Sequence, residues 1–192
     1  MRFSPVTKTD RLGREILLRS AEPEDAEALI RYLKTTAEET RFLLREPDEI
    51  NITLEQEIRF IESNRDGERE LLLLAFCNGR HIGNCSLMSL GGKSRLRHRC
   101  EVAIALYREY CGCGVGRLML ETVLAEAKRL GFEQAELTVA AENPRAIALY
   151  ESLGFVTYAR LPKQAKFRDG TYSDSFWMMN RFKTPRDRIV VS

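Results

Sequence analysis

The sequence predicts a mixed α/β (α+β) fold: a largely antiparallel sheet covered by helices. Three observations carry this. First, residues 101–116 alternate Val102, Ile104 and Leu106, then run through Cys111-Gly112-Cys113-Gly114-Val115-Gly116 into an amphipathic helix with Leu118, Met119, Val123, Ala127 and Leu130 on one side. Second, Leu71 to Cys77 is an unbroken apolar run of strand length, followed by the hairpin dipeptide Asn78-Gly79. Third, Glu22-Pro23 and Asn143-Pro144 place proline where a helix starts, its fixed φ suiting the first turn.

Taken in order, residues 1–13 read as a polar lead-in and 15–19 as a first strand. A helix with Ala26, Leu29, Ile30 and Leu33 follows, then a loop with the apolar knot Phe42-Leu43-Leu44. Thr53-x-x-Gln56 matches a capping box, and Ile58, Phe60 and Ile61 fit the helix behind it, which ends at Asp66-Gly67. Strands are predicted at 71–77, 81–90 and 97–106, antiparallel in succession. After the glycine loop and its helix come a strand at 134–139, a helix from Asn143-Pro144 to Leu153-Gly154, and two strands, 155–161 and 175–182, around Asp169-Gly170. The tail after Lys183 is polar. The expected organisation is one domain over 1–192, with its core at about 14–183.

Composition bounds the partners. The net charge of +2 argues for neither nucleic acid nor membrane, and no apolar run reaches the ~20 residues of a spanning helix. Five cysteines and a polar N-terminal stretch without an export-signal core imply reduced thiols in the cytoplasm. Cys111-x-Cys113 lacks the further ligands a closed zinc site needs, so no metal is expected and the cysteines read as small apolar fillers. A nucleophilic Cys111 lacks a base nearby in sequence. Lys93, Arg95, Arg97, His98 and Arg99 cluster at a turn; the plain reading is a solvated hairpin tip, the rival an anionic partner such as nucleic acid. The acidic stretch 38–57 reads as solvated faces, with a few residues available to line a pocket for a cation.

The glycine loop carries the chemistry. The first amides of a helix lack intrahelical partners and bear partial positive charge, and glycines without Cβ let a phosphate approach them. Residues 112–118 are therefore a candidate pyrophosphate site. The loop lacks the Gly-Lys-Ser/Thr ending of a Walker motif. It also departs from G-x-G-x-x-G, with Arg117 where the last glycine would fall, although Glu136 lies near where a ribose-binding acid would. A turn that serves only helix–strand packing is the structural alternative. Glu101 reads equally as a surface charge or as a carboxylate that takes a proton.

Gly114-x-Gly116 at a helix start, followed about thirty residues later by Asn143-Pro144-Arg145-Ala146-Ile147-Ala148-Leu149-Tyr150-Glu151-Ser152-Leu153-Gly154-Phe155, resembles the GNAT acetyltransferase superfamily. The family's loop pattern opens on Gln or Arg; here Cys111 stands there. Its later pattern, Asn-x-x-Ala-x-x-Leu-Tyr-x-x-x-Gly-Phe, is matched throughout, and the resemblance spans 15–182. The chain is also similar to spermidine and ribosomal-protein N-acetyltransferases.

The resemblance implies a GNAT-like mixed sheet split between the strands at 97–106 and 134–139, with helices on both faces and acetyl-CoA as cosubstrate in the split. The pantetheine arm would lie along Ile104, Ala105 and Leu106. The pyrophosphate would sit on Gly112, Cys113, Gly114, Val115, Gly116, Arg117 and Leu118. Asn143, Ala146 and Tyr150 share a helix face, with about 10 Å of rise between the first and last, a length suited to contacts along the arm. The implied reaction is acetyl transfer to a primary amine of a small molecule, polyamine or peptide N-terminus. Glu101 is the candidate base and Tyr150 the candidate acid. A catalytically silent CoA-binding module is the alternative, and a homodimer is an admitted assembly.

Overall fold

The computed structural model describes residues 1–182; the polar tail expected after Lys183 lies outside them. The chain forms two compact units, one of residues 1–88 and 103–123, the other of residues 89–102 and 124 onward.

In the first unit β1 (Val6–Thr9) pairs antiparallel with β2 (Glu15–Ser20), β2 with β3 (Leu71–Cys77), and β3 with β4 (Arg80–Ser89). β1 falls within the stretch expected to be a polar lead-in. Its four residues alternate half-buried and exposed, too short a pattern to stand out from the polar sequence around it. β3 matches the apolar run residue for residue. Its Leu72 and Leu74 pack with Ala26 and Leu29 of α1 (Ala26–Glu39) and Ile61 of α2 (Leu54–Asp66). Leu71, Leu73 and Ala75, pointing the other way, are also sealed from solvent, so both faces of this strand are covered. Asn78 and Gly79 have φ of 51° and 76°, the left-handed pair of a two-residue hairpin turn. Thr53 caps α2 as its sequence predicts: its side chain accepts from Gln56 N–H while the Gln56 side chain accepts from Thr53 N–H.

β5 (Arg99–Leu106) and α3 (Val115–Arg129) each run from one unit into the other. In the second unit Arg99–Cys100–Glu101 of β5 pair in parallel with Gln134–Ala135–Glu136 of β6 (Gln134–Ala140). β6 pairs antiparallel with β8 (Tyr172–Arg181), and β8 antiparallel with β7 (Val156–Lys166). The last hairpin is longer than 155–161 and 175–182. β7 is exposed along most of its length, so it lacks the inside–outside alternation that marks a half-buried strand. α4 (Pro144–Ser152) follows β6.

β4 carries a buried histidine. His81 Nε2 lies 3.1 Å from the Gly83 carbonyl and 2.6 Å from Asn84 Oδ1. Both are acceptors, so Nε2 holds the proton. The ring meets Tyr32, Phe76 and Tyr107 edge-on. Burial pushes its pKa down, against the opposing pull of the Asn84 bond. The folded pKa therefore lies below the ordinary value of about 6.5, and the unfolded chain takes the proton first as pH falls. This contribution is whole above about pH 6.5 and is lost as pH drops toward the folded value. The melting temperature should decline between about pH 7 and 5, and the decline should be shallower in His81→Gln. An unaltered slope in that variant would remove His81 from the account.

Candidate active site

The glycine loop joins β5 to α3. After β5, a 3-10 turn over Arg108–Tyr110 leads to Gly112 and Gly114, with φ of 85° and 97°. The α3 ladder opens with Leu118 N–H donating to the Gly114 carbonyl at 3.1 Å, so the amides of residues 114–117 precede its first bond. Val115 and Gly116 are buried, while Arg117 and Leu118 are half-buried. Cys113 is buried too, its thiol donating to the Tyr110 carbonyl at 2.9 Å.

Gly114 differs in one respect from the reading in which a missing Cβ leaves room for a phosphate. A Cβ there would lie 3.0 Å from Arg11 Cγ and 3.4 Å from Arg11 Cδ. The space is filled by an arginine stem, and the positive φ by itself disfavours any other residue.

Ile104, Ala105 and Leu106 are half-buried at the end of β5. The Ala105 carbonyl accepts the Tyr32 hydroxyl at 2.7 Å. Tyr32, almost wholly buried and with its phenol pKa raised by desolvation, thus ties α1 to the strand expected to bear the arm. The Tyr107 amide donates to the Ile82 carbonyl at 3.1 Å. Across from this segment Gly83 comes so close that a Cβ would stand 2.8 Å from the Ala105 carbonyl oxygen.

The remaining predicted residues lie in the second unit. Asn143 is the N-cap of α4: its Oδ1 accepts from Ala146 N–H at 3.2 Å, with Pro144 in the first turn. Ala146 is half-buried and Tyr150 is 8% exposed, its ring 5.9 Å from that of Phe155. The Tyr150 carbonyl accepts from Leu153 N–H and Phe155 N–H, both at 3.0 Å, which closes the helix. Glu101 is half-buried and stands in register with Glu136. Glu136 is itself bound: Arg99 Nη2 donates to it at 2.7 Å, Gln134 Nε2 does the same, and these partners hold its pKa below the usual carboxylate range. Arg99 accordingly leaves the basic cluster predicted at 93–99, and Glu136 is a structural carboxylate.

Two contacts of these segments escaped the sequence reading, Arg11 with Cys113 and Tyr32 with Ala105. Arg11 sits in the lead-in, where only its polarity was visible. Tyr32 follows Leu29 at helical spacing, a signal for the core face of α1 but not for a bond to residue 105. Among the described residues no group of three or more His, Cys, Asp or Glu is placed to hold a metal ion, and no helix is long and apolar enough to cross a membrane.

Residues 15–156 match the family model described as an acetyltransferase (GNAT) domain. An acetyltransferase of the GNAT family from Streptococcus pneumoniae superposes with a TM-score of 0.83 and 30% sequence identity, over 87% of this chain and 99% of that one. The structure of yncA from Salmonella typhimurium, described as a putative acetyltransferase with its cofactor acetyl-CoA, superposes with a TM-score of 0.77 at 20% identity, over 88% of this chain and 95% of that one, which shows a shared fold. The L-amino acid N-acyltransferase MnaT of Escherichia coli is 28% identical over 86 residues, 45% of this chain and 50% of that protein. The chain spans about half the length of the curated relatives it matches.

Proposed function

Because the chain belongs to the GNAT acetyltransferase domain family, we propose that it is an acetyl-CoA-dependent N-acetyltransferase, moving the acetyl group to a primary amine by direct attack within a ternary complex. The observation that carries the proposal is the loop from Gly112 to Leu118. Two glycines with positive φ lead into the first turn of α3, whose amides precede the first bond of its ladder, which suits a pyrophosphate.

Acetyl-CoA supplies the thioester carbonyl that the amine attacks. The chain's residues then have separate tasks. Glu101 takes a proton from the acceptor, directly or through water, because only a neutral amine has a lone pair to offer. A β5 amide near Leu106 donates to the carbonyl oxygen as it gains charge. Tyr150 Oη gives a proton to the departing thiolate. Asn143 and Ala146 line the arm, although the Asn143 oxygen also serves as a helix cap and leaves its amide nitrogen for such a contact. All five cysteines are free thiols, in keeping with a cytoplasmic location, which is part of the proposal.

The acceptor is a small-molecule, polyamine or peptide amine. Amino acids lead the candidates because the relative MnaT is an L-amino acid N-acyltransferase. The test incubates the protein with acetyl-CoA and a panel of amino acids, polyamines, aminoglycosides and peptide N-termini, and follows thiol release. Release that depends on one amine class is the expected result. CoA should also raise the melting temperature more than pantetheine does, since only CoA carries phosphates for the loop. Stabilisation without release on any amine would favour a silent CoA-binding module. No stabilisation at saturating CoA would remove the anion site.

A further inference from the structure

We propose that Arg11, on the turn between β1 and β2, contacts the pyrophosphate of the cosubstrate and forms a second wall of the loop site; this rests on the acetyl-CoA reading above. The contact between the turn and the loop is direct. Arg11 N–H donates to the Cys113 carbonyl at 2.9 Å, and the Arg11 stem covers the open side of Gly114. The guanidinium carbon lies only two bonds beyond the Cδ atom that sits there. It therefore stays within reach of Gly114, at the loop where an anion is expected.

The turn is built to hold that position. Asp10 Oδ1 accepts from the amides of Leu12 and Arg14, both at 2.9 Å, and Oδ2 accepts Arg14 Nε at 2.8 Å. The backbone closes the same turn, Asp10 N–H to the Arg14 carbonyl at 3.0 Å and Gly13 N–H to the Asp10 carbonyl at 3.1 Å. Burial would raise the Asp10 pKa, but these bonds and the Arg14 charge outweigh it and hold the carboxyl below its usual range. Arg14 is thus committed to Asp10, and its guanidinium also lies 5.1 Å from the centre of the Tyr110 ring. Arg11 is exposed and makes no ion pair among the described residues. One arginine of the turn is spent on internal structure while the other leaves its charge available beside the anion site. An arginine suits this role because its planar fork can donate two parallel hydrogen bonds to a phosphate.

The substitution that isolates the charge is Arg11→Met, which keeps an unbranched stem over Gly114 and removes the guanidinium. Arg11→Lys retains a positive charge without the fork. Affinities for CoA, dephospho-CoA and pantetheine are measured by calorimetry at two salt concentrations, with the melting temperature of each ligand-free variant as a fold control. Arg11→Met should weaken CoA and dephospho-CoA alike by about tenfold, the size of one lost charge-assisted bond, and reduce the salt dependence of binding. Arg11→Lys should fall between, and pantetheine, which has no phosphate, should bind all three proteins equally. Unchanged CoA affinity in Arg11→Met would overturn the proposal. So would a loss confined to CoA, which would place Arg11 at the 3′-phosphate, or an equal loss for pantetheine, which would make the residue structural. A wild-type protein that binds no CoA would instead remove the acetyltransferase reading on which the proposal rests.

Discussion

Tyr150→Phe should lower acetyl transfer by roughly 10²-fold or more in single turnover while leaving CoA affinity nearly unchanged. The substitution is suited to the question because the ring has a structural task that phenylalanine can keep. Tyr150 is 8% exposed and its ring packs at 5.9 Å and 60° against Phe155. Its carbonyl, which closes α4, is untouched by a side-chain change. The phenol oxygen is the only atom lost. If it supplies the proton to the thiolate, the transition state loses a stabilisation that the bound ground state never had, so the rate falls and affinity does not. Single turnover matters because slow product release would mask the effect. Transfer at the wild-type rate would mean that water or another group protonates the thiolate.

Gly83→Ala is the second large effect, and it acts on stability first. An added Cβ would stand 2.2 Å from Leu106 Cδ2 and 2.8 Å from the Ala105 carbonyl oxygen. The leucine methyl can rotate away, but the carbonyl is backbone and is already held by the Tyr32 hydroxyl. β4 and the end of β5 must therefore part. We expect a loss of about 2–3 kcal/mol, seen as a fall in melting temperature of roughly 5–10 °C. CoA affinity should fall as well, since the displaced segment is the one assigned to the pantetheine arm. Gly92→Ala is the control: nothing lies within 4 Å of its Cβ position and its φ is not in the left-handed region. A Gly83→Ala protein as stable as Gly92→Ala would show that the strands are free to separate there.

The parts of the molecule that were legible in sequence are those whose signal is local. The β3 run is legible because both its faces are buried, so every position is apolar. The starts of α2 and α4 are legible because their signals, a capping box in α2 and an asparagine cap followed by proline in α4, each act within three residues. The glycine loop is legible for the same reason. What was hidden depends on contacts distant in sequence. Nothing within the lead-in says that Arg11 meets Cys113, about a hundred residues away, or that Asp10 folds the turn that brings it there. Tyr32 shows its helical spacing but not its bond to Ala105. Arg99 looked like one of five clustered cations until β6 brought Glu136 beside it. The ends of β7 and β8 were hidden for a different reason: an exposed hairpin needs no apolar alternation.

The position of β8 has a consequence for the order in which the chain becomes complete. β8 pairs with β6 over Gln134–Ala140 and with β7 from Val156 to Lys166, so a strand that leaves the ribosome after β6 and β7 lies between them. β7 emerges directly ahead of β8, its partner, and stays unpaired until β8 follows. The helix bearing Tyr150 waits too, because Asn180 Nδ2 donates to the Leu153 carbonyl at 2.7 Å and secures the chain just past the end of α4. The second unit therefore cannot close before β8 has emerged. A ribosome that stalls before Tyr172 would leave β6 without its antiparallel partner, an open strand edge available to pair with another nascent chain.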